Sequence, residues 1–453
     1  MRNKVKKFLL FLSTPLPPFK GGSSQKGLRP LPHILKISII FFLILSAGCT
    51  HIHESKVKTA KIIKFSSWGS ESEVKVIKPL IREFEKQNPE IKVDFIHIPK
   101  NYFQKMHLMV ASNLTPDVVF INNLSGPLYA GNNVFLDLSG YLKNDDTLSK
   151  KDFFPQALEA FTYKGKFYAI PRDISNLVIY YNKDLFDKYH VAYPKKNWTF
   201  EEFLLTSRKL TKDLNADGKI DQFGVSFEEA PLFWLPFLWS NGGGIINKNL
   251  DSIIIDKPAS LEALQFYADL RNKYHAAPTK SEAGSATMAQ LFMQQKVAMH
   301  ISGRWSTPGY RKNLDFSWDT ARFPRGKAGS VVDCDTSGWA ISSSSKYPKE
   351  SWRLIKFLAN RKSAENFAQS GLIVPARIDA ANSEDFLDKK LPPENSKVFV
   401  NIISDSVPTP VIENYQELTD ILDSALEPLW LGEKTAKEVI DKNLIKNLRK
   451  KLK

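Results

Sequence analysis

Cysteine is scarce in this 453-residue chain, which has two, so a disulfide-stapled scaffold is excluded. Familiar catalytic and phosphate-binding motifs are also missing: the sequence contains no G-x-S-x-G, H-E-x-x-H, G-x-x-x-x-G-K-[ST] or C-x-x-C. With 43% hydrophobic and 25% charged residues, the composition is that of a soluble globular protein rather than a disordered chain. At roughly 100–200 residues per domain, the length predicts two or three domains.

Acidic residues are absent from the first 48 positions, which carry eight basic side chains. Removing those eight from 63 Lys+Arg leaves 55 against 48 Asp+Glu, a surplus of seven on the remaining 405 residues. This surplus is spread along the chain, apart from the tail Arg449-Lys450-Lys451. A nucleic-acid partner is therefore not expected.

A nine-residue apolar run, Ile37–Leu45, follows the basic segment. In a helix nine residues span roughly 13 Å, less than half of a bilayer's ~30 Å core, so the run predicts a signal peptide rather than a membrane span. It ends in Leu45-Ser46-Ala47-Gly48-Cys49, which resembles the lipobox of bacterial lipoproteins. The alternative is a buried apolar helix followed by a chance cysteine.

The lipobox interpretation divides the N-terminal region into two parts. Residues 1–48 are predicted to be a signal peptide, within which 1–31 is unusually long and indicates a mis-assigned start. Cys49 is predicted to be lipidated, so that residues 49–60 form a tether to the outer face of the cell membrane. The other cysteine, Cys334, lies between Asp333 and Asp335, which would raise a thiol pKa, and we interpret it as a packing residue.

Beyond the tether, strand-like and helix-like patterns alternate. Ile62–Phe65 reads as a buried strand, residues 73–88 have apolar positions at helical spacing, and residues 91–96 alternate as a strand. This βαβ rhythm predicts an α/β protein with a mostly parallel sheet flanked by helices. Ligands bind at the carboxyl ends of such strands, so the segments that directly follow strands are the first candidates for a site.

Five short stretches form a recognisable set: TPDVV (115–119), YYNKDLF (180–186), NWTFEEF (197–203), FMQQKVAM (292–299) with Gly303-Arg304-Trp305, and VPAR (374–377). Together they resemble the extracellular solute-binding proteins of carbohydrate ABC transporters, the maltose-binding-protein-like group. The family usually has Gly where this chain has Gln295.

The resemblance implies a periplasmic-binding-protein-like α/β fold, with two lobes, each a mostly parallel sheet flanked by helices, joined by a multi-strand hinge. It assigns residues 61–172 plus 322–376 to the first lobe and 173–321 plus 377–453 to the second. The implied function is that of a substrate-binding lipoprotein of an ABC importer, held on the extracytoplasmic face of the cell membrane, or in the periplasm where an outer membrane is present. It would capture a mono- or oligosaccharide in the interlobe cleft and deliver it unaltered to permease subunits.

Candidate ligand-binding residues follow from sugar chemistry, since aromatic rings stack on apolar sugar faces while carboxylates, amides and arginine bind hydroxyls. A core position is an equal alternative for most tryptophans, whereas the family's Gly-x-Trp pattern favours a stacking role for Trp305. A hinge ion pair is an equal alternative for Arg377. The candidates are Trp68, Glu71, Asn122, Asn123, Asp173, Ser175, Glu229, Phe233, Trp239, Gly303, Trp305, Asp335, Trp339 and Arg377.

Residues 213–221 match the first nine positions of an EF-hand calcium loop, with Asp213, Asn215, Asp217, Lys219 and Asp221 at the ligand positions. Position 12 is a glycine rather than the usual glutamate. The alternative is a polar turn whose Asp and Asn side chains accept hydrogen bonds from their own backbone. A structural calcium is the only cofactor that the sequence suggests, and none is required.

Two other functions are compatible with the sequence. One is binding of peptides or another polar solute. The other is a membrane-displayed glycoside hydrolase that uses Glu228 and Glu229, although adjacent side chains point in different directions and no matched second carboxylate is evident. We therefore expect a binding protein rather than an enzyme.

Overall fold

The computed structural model of the protein describes residues 60–452. The predicted signal peptide and the predicted lipidation site Cys49 lie outside the described residues. Within residues 60–452, we find no helix that is both long and apolar enough to cross a membrane.

The strands form two main sheets and one short hairpin. They are β1 (Lys61–Ser67), β2 (Ile91–His97), β3 (Val118–Asn122), β4 (Thr162–Tyr163), β5 (Lys166–Phe167), β6 (Ile170–Ser175), β7 (Val178–Asn182), β8 (Phe223–Val225), β9 (Val297–Ser302), β10 (Trp318–Ala321), β11 (Asp335–Ile341) and β12 (Val374–Pro375).

Helices flank both sheets. They are α1 (Glu71–Gln87), α2 (Tyr102–Ala111), α3 (Gly126–Gly131), α4 (Ser139–Lys143), α5 (Pro155–Ala160), α6 (Lys183–Lys188), α7 (Phe200–Leu210), α8 (Pro231–Ser240), α9 (Pro258–Asn272), α10 (Lys280–Ala283), α11 (Met288–Met293), α12 (Thr307–Asn313), α13 (Pro348–Leu358), α14 (Arg361–Gln369), α15 (Ile378–Ala381), α16 (Glu384–Leu387), α17 (Val398–Asn401), α18 (Tyr415–Trp430), α19 (Ala436–Val439) and α20 (Lys442–Leu452).

The first lobe is built on a six-stranded sheet with the order β12-β6-β11-β3-β1-β2, and the second on a four-stranded sheet with the order β10-β7-β9-β8. The two-lobed α/β architecture is thus confirmed. The expectation that each sheet is mostly parallel needs correction. Strands β1, β2 and β3 are parallel neighbours, but β11 runs antiparallel to both β3 and β6, and β7 runs antiparallel to β9 and β10. The antiparallel pairs involve the strands on either side of the crossings, because such strands enter a sheet without a βαβ crossover.

Helix ends agree with the local sequence. Ser70 and Glu73 form a capping box at the start of α1, and Thr199 and Glu202 form another at the start of α7. Along α1 the buried side chains recur at helical spacing and pack on the first sheet. They are Glu73, Ile77, Leu80, Ile81 and Phe84.

Three chain segments link the two lobes. Strand β6 leads into β7 through only Asn176 and Leu177, whereas residues 322–334 join β10 to β11. After β12 the chain forms α15 and α16, which pack on α14 of the first lobe, although the sequence assigns residues 377–453 to the second. It then forms a bridge from Val407 to Asp333 before α18–α20 pack beside α9 on the second lobe.

Candidate functional site

One edge of the first sheet gathers many of the predicted site residues. Strands β1, β3 and β6 all end there, and β11 begins there because it runs antiparallel to β3 and β6. The segments at this edge are Trp68 after β1, Asn122-Asn123 at the end of β3, Asp173–Ser175 in β6, and Asp335 at the start of β11. The predicted residues that were chosen because ligands bind at strand ends therefore lie together at this one edge.

One edge of the second sheet faces the same chain segments that link the lobes. Parallel strands β8 and β9 end there and β7 begins there. Residues 226–229 follow β8, and Gly303-Arg304-Trp305 follow β9. Since β6 runs almost directly into β7, the two edges lie on either side of the crossings, which is the position expected for an interlobe site.

Trp68 lies half-buried at the first-lobe edge. Its ring packs against Tyr102 at 5.0 Å, Phe103 at 5.3 Å and Phe120 at 4.2 Å between ring centroids. Three aromatic neighbours hold the indole in place, while its remaining surface lines a groove together with the exposed Glu71. Trp68 can therefore offer a positioned ring surface to a ligand.

Asp173 is a structural residue in this arrangement. It is 4% exposed, and its Oδ2 accepts a 2.6 Å hydrogen bond from Nε of Arg172. The same guanidinium contacts Oε1 of Glu73 at 3.1 Å and lies 4.1 Å from the centre of the Phe120 ring. Burial raises the pKa of the Asp173 carboxyl, and the neighbouring Arg172 opposes that shift. The cluster ties the start of α1 to the hinge strand β6, so Asp173 is not directed at a ligand.

Sequence analysis missed the partners of Asp173. Arg172 is adjacent to it in the chain, but Glu73 is almost 100 residues away and the capping box already explained it. No local pattern predicts that these three charges meet. Within residues 60–452, Nη1 of Arg172 has no hydrogen-bond partner.

The amide of Asn123 and the carboxylate of Asp335 also hold the hinge together. Nδ2 of Asn123 donates to Oδ1 of Asp335 at 3.1 Å, and Oδ1 of Asn123 accepts from the Thr336 amide at 3.0 Å. The Thr409 hydroxyl donates to the same Oδ1 atom of Asp335. Asn122 accepts a backbone hydrogen bond from Ser125 at 3.0 Å. These side chains join the end of β3 to the start of β11 and to the segment that contains Thr409, while Ser175 stays half-exposed at the end of β6.

Trp339 belongs to the core, and its prediction as a ligand-binding residue is corrected. It is 1% exposed, with ring centroids 6.2 Å from Phe120 and 6.3 Å from Phe367. The physical reason is its position: it lies within β11, between β3 and β6, rather than after a strand. Trp352 and Trp430 are also buried, as their helical positions predict.

Trp305 is the one exposed tryptophan among the described residues, with 38% of its surface accessible. It lies on the turn Arg304–Ser306 that follows β9. Its ring covers Gly303, where a Cβ atom would lie 1.9 Å from the indole. A glycine is therefore required at 303 for this ring position, which gives the predicted Gly-x-Trp pattern a steric explanation.

Arg304 anchors the turn that carries Trp305. It is 2% exposed, donates to the Ser396 hydroxyl at 3.1 Å, and stacks over Phe386 and Phe399 at 4.7 and 5.2 Å. Burial lowers the pKa of the guanidinium to about 10. The residue before the exposed indole is thus fixed in the core.

The two adjacent glutamates after β8 have different roles. Glu229, the predicted binding residue, is held by Nη1 of Arg271 at 2.9 Å and by Lys280 at 2.7 Å. Glu228 is half-buried, and we find no side-chain hydrogen bond or ion pair for it within residues 60–452. Burial and the charge of Glu229 raise the pKa of the Glu228 carboxyl, while Arg271 opposes this shift. Glu228, one residue before the predicted Glu229, is therefore the carboxylate of this pair that has no side-chain partner in the described residues.

The remaining candidates divide between binding and structural positions. Phe233 and Trp239 are half-buried on α8 and pack against the core. Arg377 donates from Nε and Nη2 to Asp379 at 3.0 and 2.9 Å, and its Nη1 lies 3.6 Å from Asp152. For Arg377 the structure therefore favours the hinge ion-pair alternative over ligand binding.

The calcium-like loop is closed by its own side chains. Oδ1 and Oδ2 of Asp213 accept from the amides of Ala216 and Gly218 at 2.7 and 2.9 Å, and these contacts lower the pKa of the carboxyl. Asn215, Asp217 and Asp221 accept from backbone amides in the same way, and Lys219 is exposed. In the described part of the chain, no three His, Cys, Asp or Glu side chains are grouped to hold a metal. The calcium site stays a prediction, and the loop has the geometry of the polar-turn alternative.

The hinge also contains Cys334 and Asp333, which are both almost fully buried. Burial raises the pKa of the Cys334 thiol to about 12, so its interpretation as a packing residue is confirmed. Burial also raises the pKa of Asp333 well above its usual value, and neither carboxylate oxygen has a hydrogen-bond partner among residues 60–452. Asp333 is thus enclosed in the hinge and does not face the site.

Comparison with known proteins agrees with this geometry. The family model described as bacterial extracellular solute-binding protein matches residues 68–365. A galactooligosaccharide-binding protein of Bacillus subtilis is 23% identical over 415 residues, covering 87% of this chain and 91% of the relative. A maltodextrin-binding protein of the same organism is 25% identical over 313 residues, covering 66% and 70%.

Solved structures show the same architecture. An ABC substrate-binding protein of Listeria monocytogenes in complex with cycloalternan superposes with a TM-score of 0.79 at 27% identity, covering 86% of this chain and 98% of the other. The family match spans well over half of the chain and includes both sheet edges. This protein therefore belongs to the family of bacterial extracellular solute-binding proteins.

Proposed function

We propose that this protein is the substrate-binding component of an ABC importer and that it captures an oligosaccharide between its two lobes. The observation that carries the proposal is the exposed Trp305, whose ring covers Gly303 at the second-lobe edge, the edge where Glu228 has no side-chain partner within residues 60–452. An indole and a carboxylate at the same sheet edge are the groups that bind sugar faces and hydroxyls. The relatives that bind galactooligosaccharide, maltodextrin and cycloalternan support the same ligand class.

The mechanism is capture by closure. A sugar contacts Trp68 and Ser175 on the first lobe and Trp305 and Glu228 on the second. Because these contacts span both lobes, the ligand binds the closed arrangement better than the open one and shifts the population toward it. The closed form then docks on the permease, and a lipid on Cys49 keeps the protein at the extracytoplasmic face of the membrane.

No step of this mechanism changes the ligand covalently. A glycoside hydrolase needs one carboxyl group as acid and a second as base or nucleophile. Glu229 is neutralised by Arg271 and Lys280, which leaves Glu228 without a matched partner at this edge. We therefore propose a binding protein and not an enzyme.

The test is a thermal-shift screen with neutral oligosaccharides and with peptides of similar size, followed by calorimetric titration of the hits. A ligand of the folded state raises the apparent Tm by an amount that grows with the logarithm of its concentration over Kd. We expect an oligosaccharide to raise Tm and to be recovered intact by chromatography. Binding of peptides alone, or hydrolysis that is lost in Glu228→Gln, would contradict the proposal.

A further inference from the structure

A groove of about 1070 Å³ runs along α1 from the first-lobe edge. The turn that follows β1 forms its inner end, the outward face of α1 forms one wall, and the segment after β2 forms the other. Its lining includes Trp68, Glu71, Lys78, His97 and Lys100. The hydrogen bond of 2.9 Å between Nε2 of His97 and the Gly69 carbonyl ties the two walls together.

The outer part of this groove is strongly basic. Lys75, Lys78, Arg82 and Lys100 all line it, and all four are exposed. None of them forms an ion pair within residues 60–452, although seventeen ion-pair contacts occur elsewhere in that range. Four cations share one groove without a carboxylate partner and therefore create a local positive potential.

Helix geometry explains the arrangement of these charges. Glu71, Lys75, Lys78 and Arg82 follow one another at intervals of four, three and four, so they lie on one face of α1. At 1.5 Å per residue, the distance from Glu71 to Arg82 along the axis is about 16 Å. The groove is thus long enough to contact several consecutive groups of an extended ligand.

The two ends of the groove differ in chemistry. Trp68 and the carboxylate of Glu71 form the inner end, next to the sheet edge, and suit a sugar face and its hydroxyls. The second acidic side chain of the lining, Glu73, is already paired with Arg172 at 3.1 Å. Negative groups of a ligand would consequently be repelled at the inner end and attracted at the outer end.

We propose that this groove binds the acidic end of an oligosaccharide, in which carboxylate or sulfate groups contact Lys75, Lys78, Arg82 and Lys100 while the neutral end reaches the interlobe edge at Trp68. This inference rests on the proposed function and narrows its substrate class to acidic oligosaccharides. Because the four cations are exposed, their attraction is screened by salt, and affinity for the acidic ligand falls as ionic strength rises.

The first experiment compares matched ligand pairs by calorimetric titration of the protein. The pairs are oligogalacturonide and oligoglucuronide, each against its methyl ester, and a sulfated galactooligosaccharide against the unsulfated one. We expect at least one acidic member to bind about tenfold tighter than its neutral partner at low salt, with most of that advantage lost at 1 M NaCl. The carboxylate and sulfate arms identify which acidic group the groove accepts.

The outcomes separate the two proposals. If neutral oligosaccharides bind and no acidic member binds more tightly than its partner, the acidic-ligand inference is wrong and the proposed function stands. If no oligosaccharide of either kind binds, the proposed function is wrong as well.

The second experiment removes charge from the groove. We expect the triple variant Lys75→Gln/Lys78→Gln/Arg82→Gln to lose about tenfold in affinity for the acidic ligand and less than about twofold for a neutral one. The matched control is Lys86→Gln/Lys105→Gln/Lys446→Gln, three exposed lysines outside the groove and outside any ion pair in the described residues.

The control changes net charge by the same amount, so we expect it to retain wild-type affinity. An equal loss in both triple variants would show a non-specific charge effect and would overturn the proposal. If the groove variant binds every ligand normally but fails to support uptake in cells, the groove contacts a protein partner and the proposal is likewise wrong.

Discussion

The two facing sheet edges use similar polar residues in different ways. At the first-lobe edge, Asp173, Asn123 and Asp335 are engaged with other protein groups across the hinge. At the second-lobe edge, Glu228 and the ring of Trp305 are left without such partners in the described part of the chain. The first edge therefore contributes rigidity together with the Trp68 ring, and the second contributes the unpaired carboxylate and the most accessible ring.

The largest expected effect is a loss of stability at the first-lobe edge. Arg172→Met leaves Glu73 and Asp173 buried without their cation, and breaking a buried ion cluster in this way costs about 3–5 kcal/mol. Urea denaturation followed by circular dichroism measures the change in the free energy of unfolding. Arg353→Met, which removes an exposed ion pair with Glu90, is the control and should lower the free energy of unfolding much less, because solvent screens an exposed pair. Equal losses in both variants would contradict the assigned role of the cluster.

Trp305→Ala tests the role of the second-lobe edge in ligand binding. Because the ring is 38% exposed and lies at the edge, its loss should reduce affinity for the oligosaccharide about 30-fold, equal to roughly 2 kcal/mol, with little change in Tm. Calorimetric titration measures the affinity. The control is Tyr193→Ala, which removes another exposed aromatic ring of the second lobe. Unchanged affinity in the Trp305 variant would exclude a stacking role.

The adjacent glutamates provide a sharper comparison. We expect Glu228→Gln to weaken ligand binding about tenfold and Glu229→Gln to lower Tm instead, because only Glu229 is paired with Arg271 and Lys280. Titration and thermal melts of both variants measure the two effects. The reverse result, with affinity lost only at Glu229, would restore the original prediction for that residue.

The raised pKa of Glu228 also determines a pH dependence. A carboxyl whose pKa is higher in the folded than in the unfolded state destabilises the fold as pH rises through the interval between the two values. Glu228→Gln should therefore remove a loss of stability that begins above pH 4.5, the ordinary glutamate value. Ligand affinity should show the opposite pH dependence: it should fall as the pH is lowered and the Glu228 carboxylate becomes protonated. Chemical denaturation and titrations across pH 4–8 measure both, and superimposable profiles of variant and wild type would refute the assignment.

The smallest expected effect lies far from both edges, in the exposed loop 213–221. Asp213→Ala removes the acceptor of two backbone hydrogen bonds, and we expect a lower Tm, by less than that of Arg172→Met. Melts in calcium chloride and in EDTA test the loop further. A drop that is larger in calcium than in EDTA would favour the calcium site over the polar turn.

Local patterns predicted the elements of the fold because the signals that define them are local. The helical spacing along α1 is an example. Strand direction was harder to predict from the sequence. Whether β11 runs parallel or antiparallel to β3 depends on how the chain returns from the other lobe, and the spacing of apolar residues carries no information about that.

The site was predictable only in part for a related reason. The position after a strand led to Trp68 at the first-lobe edge and to Trp305 at the second-lobe edge, but it could not distinguish Glu228 from Glu229. That distinction depends on Arg271 and Lys280, which are about 40 and 50 residues further along the chain. Likewise, a glycine precedes both tryptophans, Gly338 directly before Trp339 and Gly303 two residues before Trp305, but only the sheet order shows that Trp339 is enclosed by β3 and β6.

The unequal lengths of the crossings have a mechanical consequence. Between β6 and β7 only Asn176 and Leu177 lie outside the strands, whereas thirteen residues join β10 to β11. Asn176 is also fully buried and donates a 2.8 Å hydrogen bond to the Phe399 carbonyl. A short, anchored link tolerates rotation but little translation, so we expect the axis of lobe movement to pass close to Asn176. The longer connection has more rotatable backbone bonds over which a displacement of the lobes is distributed.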